Sequence, residues 1–205
     1  MATYSTVSIC NKALVLCGAS PITALTDDTA NARALNAVYD ISRQDFLTEC
    51  RWTFAITRST LVTNSTTDLI PWTYDDETTV YDRPTNVLRI WDVSELNAKW
   101  RVEGQYIIAD YGSLGIIYTF DQEDLWLWTP KPMMAFIDKL CTDISYMITN
   151  NTTKAAAFFK KYNEVSLPNA EAESSQTGTQ QTVRDSAWAG SKYGQNSGDP
   201  SRSYG

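Results

Sequence analysis

A stripe of apolar residues between positions 130 and 149 constrains the fold more than any other feature of this sequence. Its members lie three or four residues apart, which is the spacing of one face of an α-helix. The sequence therefore predicts a helix over 130–149, begun by Pro130, with one face in a protein core. Each buried member contributes on the order of 2 kcal/mol before conformational entropy is subtracted. The stripe consists of Met133, Phe136, Ile137, Leu140, Ile144, Met147 and Ile148.

The same helical spacing occurs near both ends of the chain. A helix is predicted over 6–17 and ends at Gly18, a residue suited to a left-handed cap. A second helix is predicted over 28–50, and a last one over 152–167, which Pro168 ends or kinks. The buried face of the second helix is predicted to contain Ala34, Val38 and Ile41, with Leu35 and Phe46 alongside.

The middle of the chain, residues 52–120, is rich in β-branched and aromatic residues that alternate with polar ones. Strands are predicted over Trp52–Thr57, Val87–Val93, Val102–Asp110 and Gly115–Phe120, with Tyr111–Leu114 as the hairpin turn between the last two. The polar stretch Asn64–Pro84 is either an excursion loop or a separate hairpin. The predicted fold class is therefore α+β, a helical bundle with an inserted antiparallel β-rich region.

The composition changes again after Ser174, where Ser, Gly, Gln and Thr dominate. Such a segment buries too little surface to offset the entropy of ordering it, so the sequence predicts a folded domain over 1–174 and a flexible tail over 175–205. Isolated aromatic residues in this tail allow two interpretations, a solvated segment or one that becomes ordered on a partner during assembly. The aromatic residues are Trp188, Tyr193 and Tyr204.

The charge of the chain argues against tight binding to nucleic acid. The formal net charge is −7, and the predicted tail contributes +1, so the predicted domain carries −8. An acidic surface repels phosphate and gains nothing from counterion release. DNA could pass such a protein without adhering to it.

Several kinds of catalytic site have no support in the sequence. The chain contains no histidine, which removes the commonest general base and the usual zinc ligand. Its four cysteines have no C-x-x-C spacing, and we expect buried thiols in a reducing compartment. No secretory signal or membrane-spanning window is evident. No catalytic residue, metal or cofactor is predicted.

Two clusters of carboxylates leave alternatives open. Asp75-Asp76-Glu77 and Asp121-Gln122-Glu123-Asp124 both fall where loops are expected. They are interpreted as solvated loop charge, as oxygen ligands for Ca²⁺, or as an acid–base pair for sugar hydrolysis. The second cluster lacks the glycine and the ligand alternation of an EF-hand loop.

A series of short segments, in order along the chain, resembles one known family. The segments are Asn11–Gly18, Ala32-Arg33 with Tyr39, Trp52–Ala55 with Arg58 and Leu61, Pro84–Val93, Val102–Ile108, and the paired last helices with Tyr162. Over about residues 5–173 the chain resembles the tail tubular protein A family, the head–tail adaptors of short-tailed bacteriophages. It departs from the family pattern at Tyr81–Pro84 and at Pro168.

The resemblance implies a structural, non-catalytic protein of the virion neck that is assembled in the host cytoplasm. It would form a homo-oligomeric, dodecameric ring between the portal protein and a nozzle similar to tail tubular protein B, around the passage through which DNA is ejected. Contacts with the portal or a neighbouring subunit are predicted for Arg184, Trp188, Tyr193 and Tyr204. Contacts with the nozzle or a neighbour are predicted for Trp72, Tyr74, Asp75 and Asp76.

Two other functions compete with the adaptor. One is a tail-associated peptidoglycan hydrolase that uses a carboxylate pair, for example Asp76 with Glu123. The other is a free-standing binding module unrelated to virions.

Overall fold

The computed structural model of this protein describes residues 4–64, 74 and 77–177. The chain divides into a compact unit, residues 1–175, and a second unit, residues 176–205, whose described part is the end of the last helix. Within the described residues, α-helices are combined with two antiparallel sheets. The predicted α+β fold class is confirmed.

In the part of the chain that the structure describes, two helices are followed by six strands and then by three helices. The helices are α1 (Thr6–Cys17), α2 (Ala30–Glu49), α3 (Pro130–Thr149), α4 (Thr152–Lys161) and α5 (Leu167–Gln176). The strands are β1 (Ile56–Thr60), β2 (Thr79–Asp82), β3 (Val87–Val93), β4 (Trp100–Glu103), β5 (Tyr106–Ala109) and β6 (Gly115–Phe120). A 3₁₀ turn (Leu125–Leu127) precedes α3, and a π-helical turn (Tyr162–Ser166) joins α4 to α5.

Local hydrogen bonds explain where the first two helices begin and end. The Ser5 hydroxyl accepts from the Ser8 amide at 3.1 Å, and Gly18 ends α1 in a left-handed conformation with φ of 84°. Helix α2 starts at Ala30, two residues later than predicted, because the Asp27 carboxylate accepts from the Thr23 amide at 2.8 Å and is therefore engaged in the preceding loop. The hydroxyl of Thr29 caps α2 instead.

Helix α3 is the centre of the helical part and packs against α1, α2, α4 and the π-helical turn. Its predicted bounds and most of its predicted buried stripe are found in the structure, but Met147 is exposed. The predicted buried face of α2 is wrong at Ile41, which is 71% exposed, because α2 turns Ala32, Leu35, Tyr39 and Phe46 toward α3.

An aromatic cluster fills the core between α2 and α3. Phe46 stacks on Trp52 with ring centroids 4.7 Å apart, and Trp128 and Phe136 lie against the same ring at 5.6 Å each. The indole N–H of Trp52 donates to the Phe46 carbonyl at 2.8 Å, so its burial leaves no polar group unpaired. The strand predicted over Trp52–Thr57 is therefore wrong for its first four residues, and β1 begins at Ile56.

The β-rich region consists of two three-stranded sheets with their own core. Their strand orders are β1-β6-β3 and β2-β5-β4, and all pairs are antiparallel. Tyr81, Ile107, Leu114 and Ile116 are buried between them. β3 and β6 have the predicted bounds, and β2 lies within the stretch for which a loop or a separate hairpin was predicted.

Two predictions about these strands are wrong. The single strand predicted over Val102–Asp110 is a hairpin of β4 and β5, turned at Gly104, whose φ of 58° favours glycine. The predicted hairpin turn Tyr111–Leu114 does not join paired strands, because β5 and β6 belong to different sheets.

The last helix continues past Pro168 to Gln176, beyond the predicted end at 167. In the π-helical turn the Leu167 amide donates to the Tyr162 carbonyl, five residues back. The wider turn leaves room for the Pro168 ring, which would clash with a carbonyl of the preceding turn in a regular α-helix. It also accommodates the hydrogen bond that is lost because proline has no amide hydrogen. Beyond it, Ser174 is buried, and its hydroxyl accepts from the Thr53 amide at 3.1 Å.

Two arginine side chains join the helical part to the sheets. Arg43 of α2 is buried, and its guanidinium donates two hydrogen bonds to the carboxylate of Asp121, which follows β6. The nitrogen–oxygen distances are 2.9 and 3.0 Å. Arg89 of β3 donates to the Thr48 carbonyl at the end of α2 at 2.7 Å. The two cores are therefore connected by charged hydrogen bonds as well as by the chain.

The Arg43 contact can be tested by substitution. Arg43→Met leaves the Asp121 carboxylate partly buried without its cation, and we expect a loss of about 2 kcal/mol in the free energy of unfolding. Arg33→Met is the matched control, because Arg33 and Asp28 are 66% and 96% exposed and such pairs contribute less than about 1 kcal/mol. Urea unfolding at pH 7 measures both, and equal losses would contradict the assignment.

The pH dependence provides a second measurement on the same variant. Burial raises the pKa of Asp121, but hydrogen bonds from Arg43 and Gln44 outweigh burial and the net pKa is lowered. This carboxylate therefore stabilises the fold above its unfolded pKa of about 4, and the stabilisation is lost as pH falls through the lower folded value. The difference between wild type and Arg43→Met should accordingly shrink at the acid end of a pH series.

Candidate interaction surface

Most of the residues predicted as contacts lie outside the described part of the chain. These are Trp72, Asp75 and Asp76 in the polar stretch and Arg184, Trp188, Tyr193 and Tyr204 in the predicted tail. The predictions about them stay predictions. Tyr74 lies within the described part.

Tyr74 is an exposed aromatic ring held by its neighbours. Its side chain is 54% exposed, and the guanidinium carbon of Arg101 in β4 lies 5.0 Å from the ring centroid. Arg101 in turn pairs with Glu77 at 2.9 Å, and the Glu77 carboxylate accepts from the Tyr74 amide at 2.9 Å. A ring that is already ordered loses little entropy on binding, which suits the predicted contact role.

A second exposed aromatic residue, Trp126, was missed from the sequence. It lies in the 3₁₀ turn and is 67% exposed, whereas Leu125 and Trp128 are buried. Residues three apart lie on the same side of a 3₁₀ turn, so burying Leu125 and Trp128 directs Trp126 outward. The run Leu125-Trp-Leu-Trp128 just before Pro130 was the available signal.

A shallow apolar groove begins three residues after Leu127. Pro130 and Met134 of α3 line it together with Val165 of the π-helical turn and Asn169 of α5, and its volume is about 530 Å³. Met134 and Val165 are both exposed. The groove therefore exposes apolar surface from three neighbouring segments of the helical part.

Exposed large apolar side chains occur on both parts of the domain. On the helical part they include Ile41, Trp126, Met134, Tyr146, Met147 and Phe159, and on the β-rich part Val62, Tyr74, Leu96, Val102 and Tyr111. Single exposed apolar residues are ordinary on a protein surface. They occur here on the part with the helical core and on the part with the β-rich core.

Two carboxylates of the cluster Asp121–Asp124 contact the same basic residue, Arg43. Asp121 is bound by Arg43 and Gln44, and Glu123, 75% exposed, lies 3.5 Å from Arg43. A general acid needs a raised pKa, whereas that of Asp121 is lowered. Across residues 4–64, 74 and 77–177, no three His, Cys, Asp or Glu side chains form a group that could hold a metal ion.

The four cysteines are buried and unpaired, as predicted. Burial raises the pKa of the Cys10 thiol to about 12, and burial together with nearby carboxylates does the same for Cys50. Such thiols form little thiolate near neutral pH and react slowly with electrophiles.

None of the helices in the described ranges combines the length and apolar character needed to cross a membrane. No protein-family model matches this chain, and no curated protein matches it at a significant level.

The two neighbouring tryptophans provide a direct test of the surface. Trp126→Ser should change the free energy of unfolding by less than about 0.5 kcal/mol, because its ring is mostly in solvent. Trp128→Ser should cost about 3 kcal/mol or more, because Trp128 is 4% exposed and fills the aromatic core. Urea unfolding with far-ultraviolet circular dichroism measures both, and a large loss in Trp126→Ser would show that this side chain belongs to the core.

Proposed function

We propose that this protein is a structural head–tail adaptor of a bacteriophage, whose copies form a ring between the portal and the tail nozzle. The observation that carries the proposal is the exposure of large apolar side chains on both separately cored parts of the domain. A subunit held between two neighbouring proteins needs adhesive surface at two ends, and these residues supply it. The proposal also rests on the sequence resemblance described above.

The connection between the helical part and the β-rich part supports a structural role. Arg43 and Arg89 tie α2 to the end of β6 and to β3 through charged hydrogen bonds. Charge-assisted hydrogen bonds are stronger than neutral ones and fix direction as well as distance. A contact made at the sheets is thereby coupled mechanically to one made at the helices.

The charge of the chain supports a passage for DNA through such a ring. A formal net charge of −7 gives DNA no counterion release on contact. DNA would then slide through the lumen without being retained. Specific DNA binding is not part of the proposal.

A structural role also agrees with the state of the described carboxylates. Asp121 is held ionised by Arg43 and Gln44, which fits a structural ion pair better than a proton donor. We accordingly propose no catalytic residue and no cofactor.

Electron microscopy of the protein mixed with its portal protein tests the proposal. Rings stacked on the portal are expected, and Trp126→Ser should weaken their formation while leaving the fold intact. The matched variant is Val62→Ser, which removes an exposed apolar residue from the β-rich part and is expected to spare the portal contact if that contact is made by the helices. Particles without rings under all conditions, or turnover of peptidoglycan by homogeneous protein, would overturn the proposal.

Truncation tests the predicted role of residues 178–205. Cutting the chain after Thr177 should shift the melting temperature by less than about 2 °C but reduce ring formation on the portal. Cutting it after Glu173 is the control, because this removes the Ser174 hydroxyl that accepts from the Thr53 amide. We expect that shorter form to melt about 3 °C lower. Unchanged ring formation by the longer form would contradict a contact role for the tail.

A further inference from the structure

Strand β1 lies at one edge of the β1-β6-β3 sheet and pairs with β6 on one side only. The pairing is regular and antiparallel, from Ile56 opposite Thr119 to Thr60 opposite Gly115. Among the described elements, only β6 makes extensive contact with β1. In the part of the chain that the structure describes, the other side of β1 therefore has no strand paired with it.

Two hydrogen bonds that flank β1 show which of its backbone groups face β6. Before the strand, the Phe120 amide donates to the Ala55 carbonyl at 3.1 Å. After the strand, the Leu61 amide donates to the Leu114 carbonyl at 2.8 Å. In an antiparallel pair, residues whose backbone bonds the partner strand alternate with residues whose backbone points away from it. The odd-numbered residues of β1 therefore bond β6.

The even-numbered residues of β1 point their backbone N–H and C=O groups to the open side. These residues are Ile56, which is half-buried, and Arg58 and Thr60, which are exposed. The Thr60 carbonyl accepts from the neighbouring Ser59 hydroxyl at 3.3 Å and keeps a second lone pair for another donor. Such a row of outward-pointing groups is a template for one more strand, which would bind through main-chain hydrogen bonds.

The edges of β2 and β3 are less suited to strand addition. Residues 62–64 already pair with the outer side of β2, where the Asn64 amide donates to the Val80 carbonyl at 2.8 Å. The register of β3 with β6 shifts at two places. Such irregularities disfavour further pairing along a sheet edge.

The edge of β4 is open, but its cation is already paired. Arg101 contacts Glu77 at 2.9 Å, and its guanidinium lies over the Tyr74 ring. Arg58 of β1 differs, because among the described residues its guanidinium has no ion-pair or hydrogen-bond partner. β1 therefore offers an incoming strand both backbone groups and an unpaired positive charge.

The surroundings of Arg58 leave room for a side chain of that strand. A depression of about 280 Å³ is lined by Arg58 and Thr60 together with Ser94 and Gly115. Gly115 lies opposite Thr60 on β6 and contributes no side chain to fill it. Residues opposite each other on paired strands carry their side chains on the same face, so a carboxylate opposite Arg58 would meet its guanidinium.

We propose that the open side of β1 binds an extended, acidic segment of another protein, which adds as a further strand to the β1-β6-β3 sheet. The backbone groups of Ile56, Arg58 and Thr60 would supply the main-chain hydrogen bonds, and an Asp or Glu of the partner would pair with Arg58. A second β1 is a poor occupant, because antiparallel pairing centred on Arg58 would set two arginines opposite each other. The inference does not depend on the proposed ring, since it concerns one edge of a single subunit.

Peptide binding to the full chain tests the proposal. The probe is a short fluorescein-labelled peptide in which Thr and Val alternate around a central Asp, and the control peptide has Lys in place of that Asp. Fluorescence anisotropy at physiological ionic strength should show saturable binding of the Asp peptide. We expect the Lys peptide to bind about fivefold more weakly, because like charges on paired strands repel.

Charge reversal on the protein identifies the residue that reads the peptide. Arg58→Glu should reverse the order, so that the Lys peptide binds more tightly than the Asp peptide. Lys12→Glu is the matched control, because it makes the same change in net charge at an exposed residue of α1. The Asp peptide should still bind more tightly to this variant. An unchanged order in Arg58→Glu would overturn the assignment of Arg58.

Proline substitution tests the backbone pairing. Thr60→Pro removes an amide that faces the open side, so the melting temperature should stay nearly unchanged while the Asp peptide binds at least about fivefold more weakly. Ser59→Pro removes an amide that faces β6 and should lower the melting temperature by about 5 °C or more. Equal thermal losses in the two variants would contradict the alternation and overturn the proposal.

Amide hydrogen exchange followed by nuclear magnetic resonance locates the bound peptide. In the protein without peptide, the amides of Arg58 and Thr60 should exchange quickly, whereas those of Thr57 and Ser59 should exchange slowly. Saturation with the Asp peptide should slow Arg58 and Thr60. Binding that leaves their exchange rates unchanged would place the peptide elsewhere and overturn the proposal.

The remaining outcomes separate the possible occupants of this edge. Absence of saturable binding, or equal binding of the two peptides, would overturn the acidic partner. Analytical ultracentrifugation of the protein by itself covers the second copy. A dimer that is lost in Thr60→Pro would show that another copy of the chain occupies the edge, and would also overturn the proposal. None of these results bears on ring formation at the portal, so the adaptor function is tested separately.

Discussion

The fold depends on two adjacent charges buried in the central helix. Asp138 and Lys139 of α3 are 2% and 9% exposed, and they point to different neighbours. Asp138 accepts from Lys161 at 2.7 Å and from Ser166 at 2.5 Å. Lys139 pairs with Asp45 of α2 at 2.7 Å. Since a buried charge without its partner costs several kcal/mol, the positions of α2 and of the α4–π-helical segment along α3 are fixed together.

The surface follows from this arrangement. Because one side of α2 packs against α3, Ile41 on the other side faces solvent. In α4, Lys161 pairs with Asp138, and Phe159 lies exposed at the outer edge of the helix. The exposure of Ile41 and of Phe159 therefore follows from how the buried charges of α3 are paired. The backbone that carries these two side chains is therefore held in place by the core, which would lower the entropic cost of a contact made through them.

Sequence periodicity predicted the elements whose burial pattern repeats along the chain. The bounds of α1, α3, β3 and β6 agree with those predicted. The errors lie where a tertiary contact overrides the local pattern. Trp52 belongs to a segment whose apolar and polar residues alternate as in a strand, but its side chain lies in the helical core. Pro168 is tolerated inside a helix because a π-helical turn precedes it. The run Leu125–Trp128 indicates an apolar turn, but only the tertiary structure shows that Leu125 and Trp128 are the buried members and that Trp126 is exposed.

The sequence by itself determined the α+β class, the burial of the thiols, the acidic charge and the absence of histidine, since composition and period suffice for these. Only the tertiary structure decided which strands share a sheet, that β5 and β6 belong to different sheets, and that Asp121 accepts hydrogen bonds from Arg43. It also decided that Ile41 lines a groove together with Asp45 and Asp143, and that no residue of α4 is fully buried. Such facts depend on residues far apart in the chain meeting in space, and a one-dimensional pattern contains no distance between them.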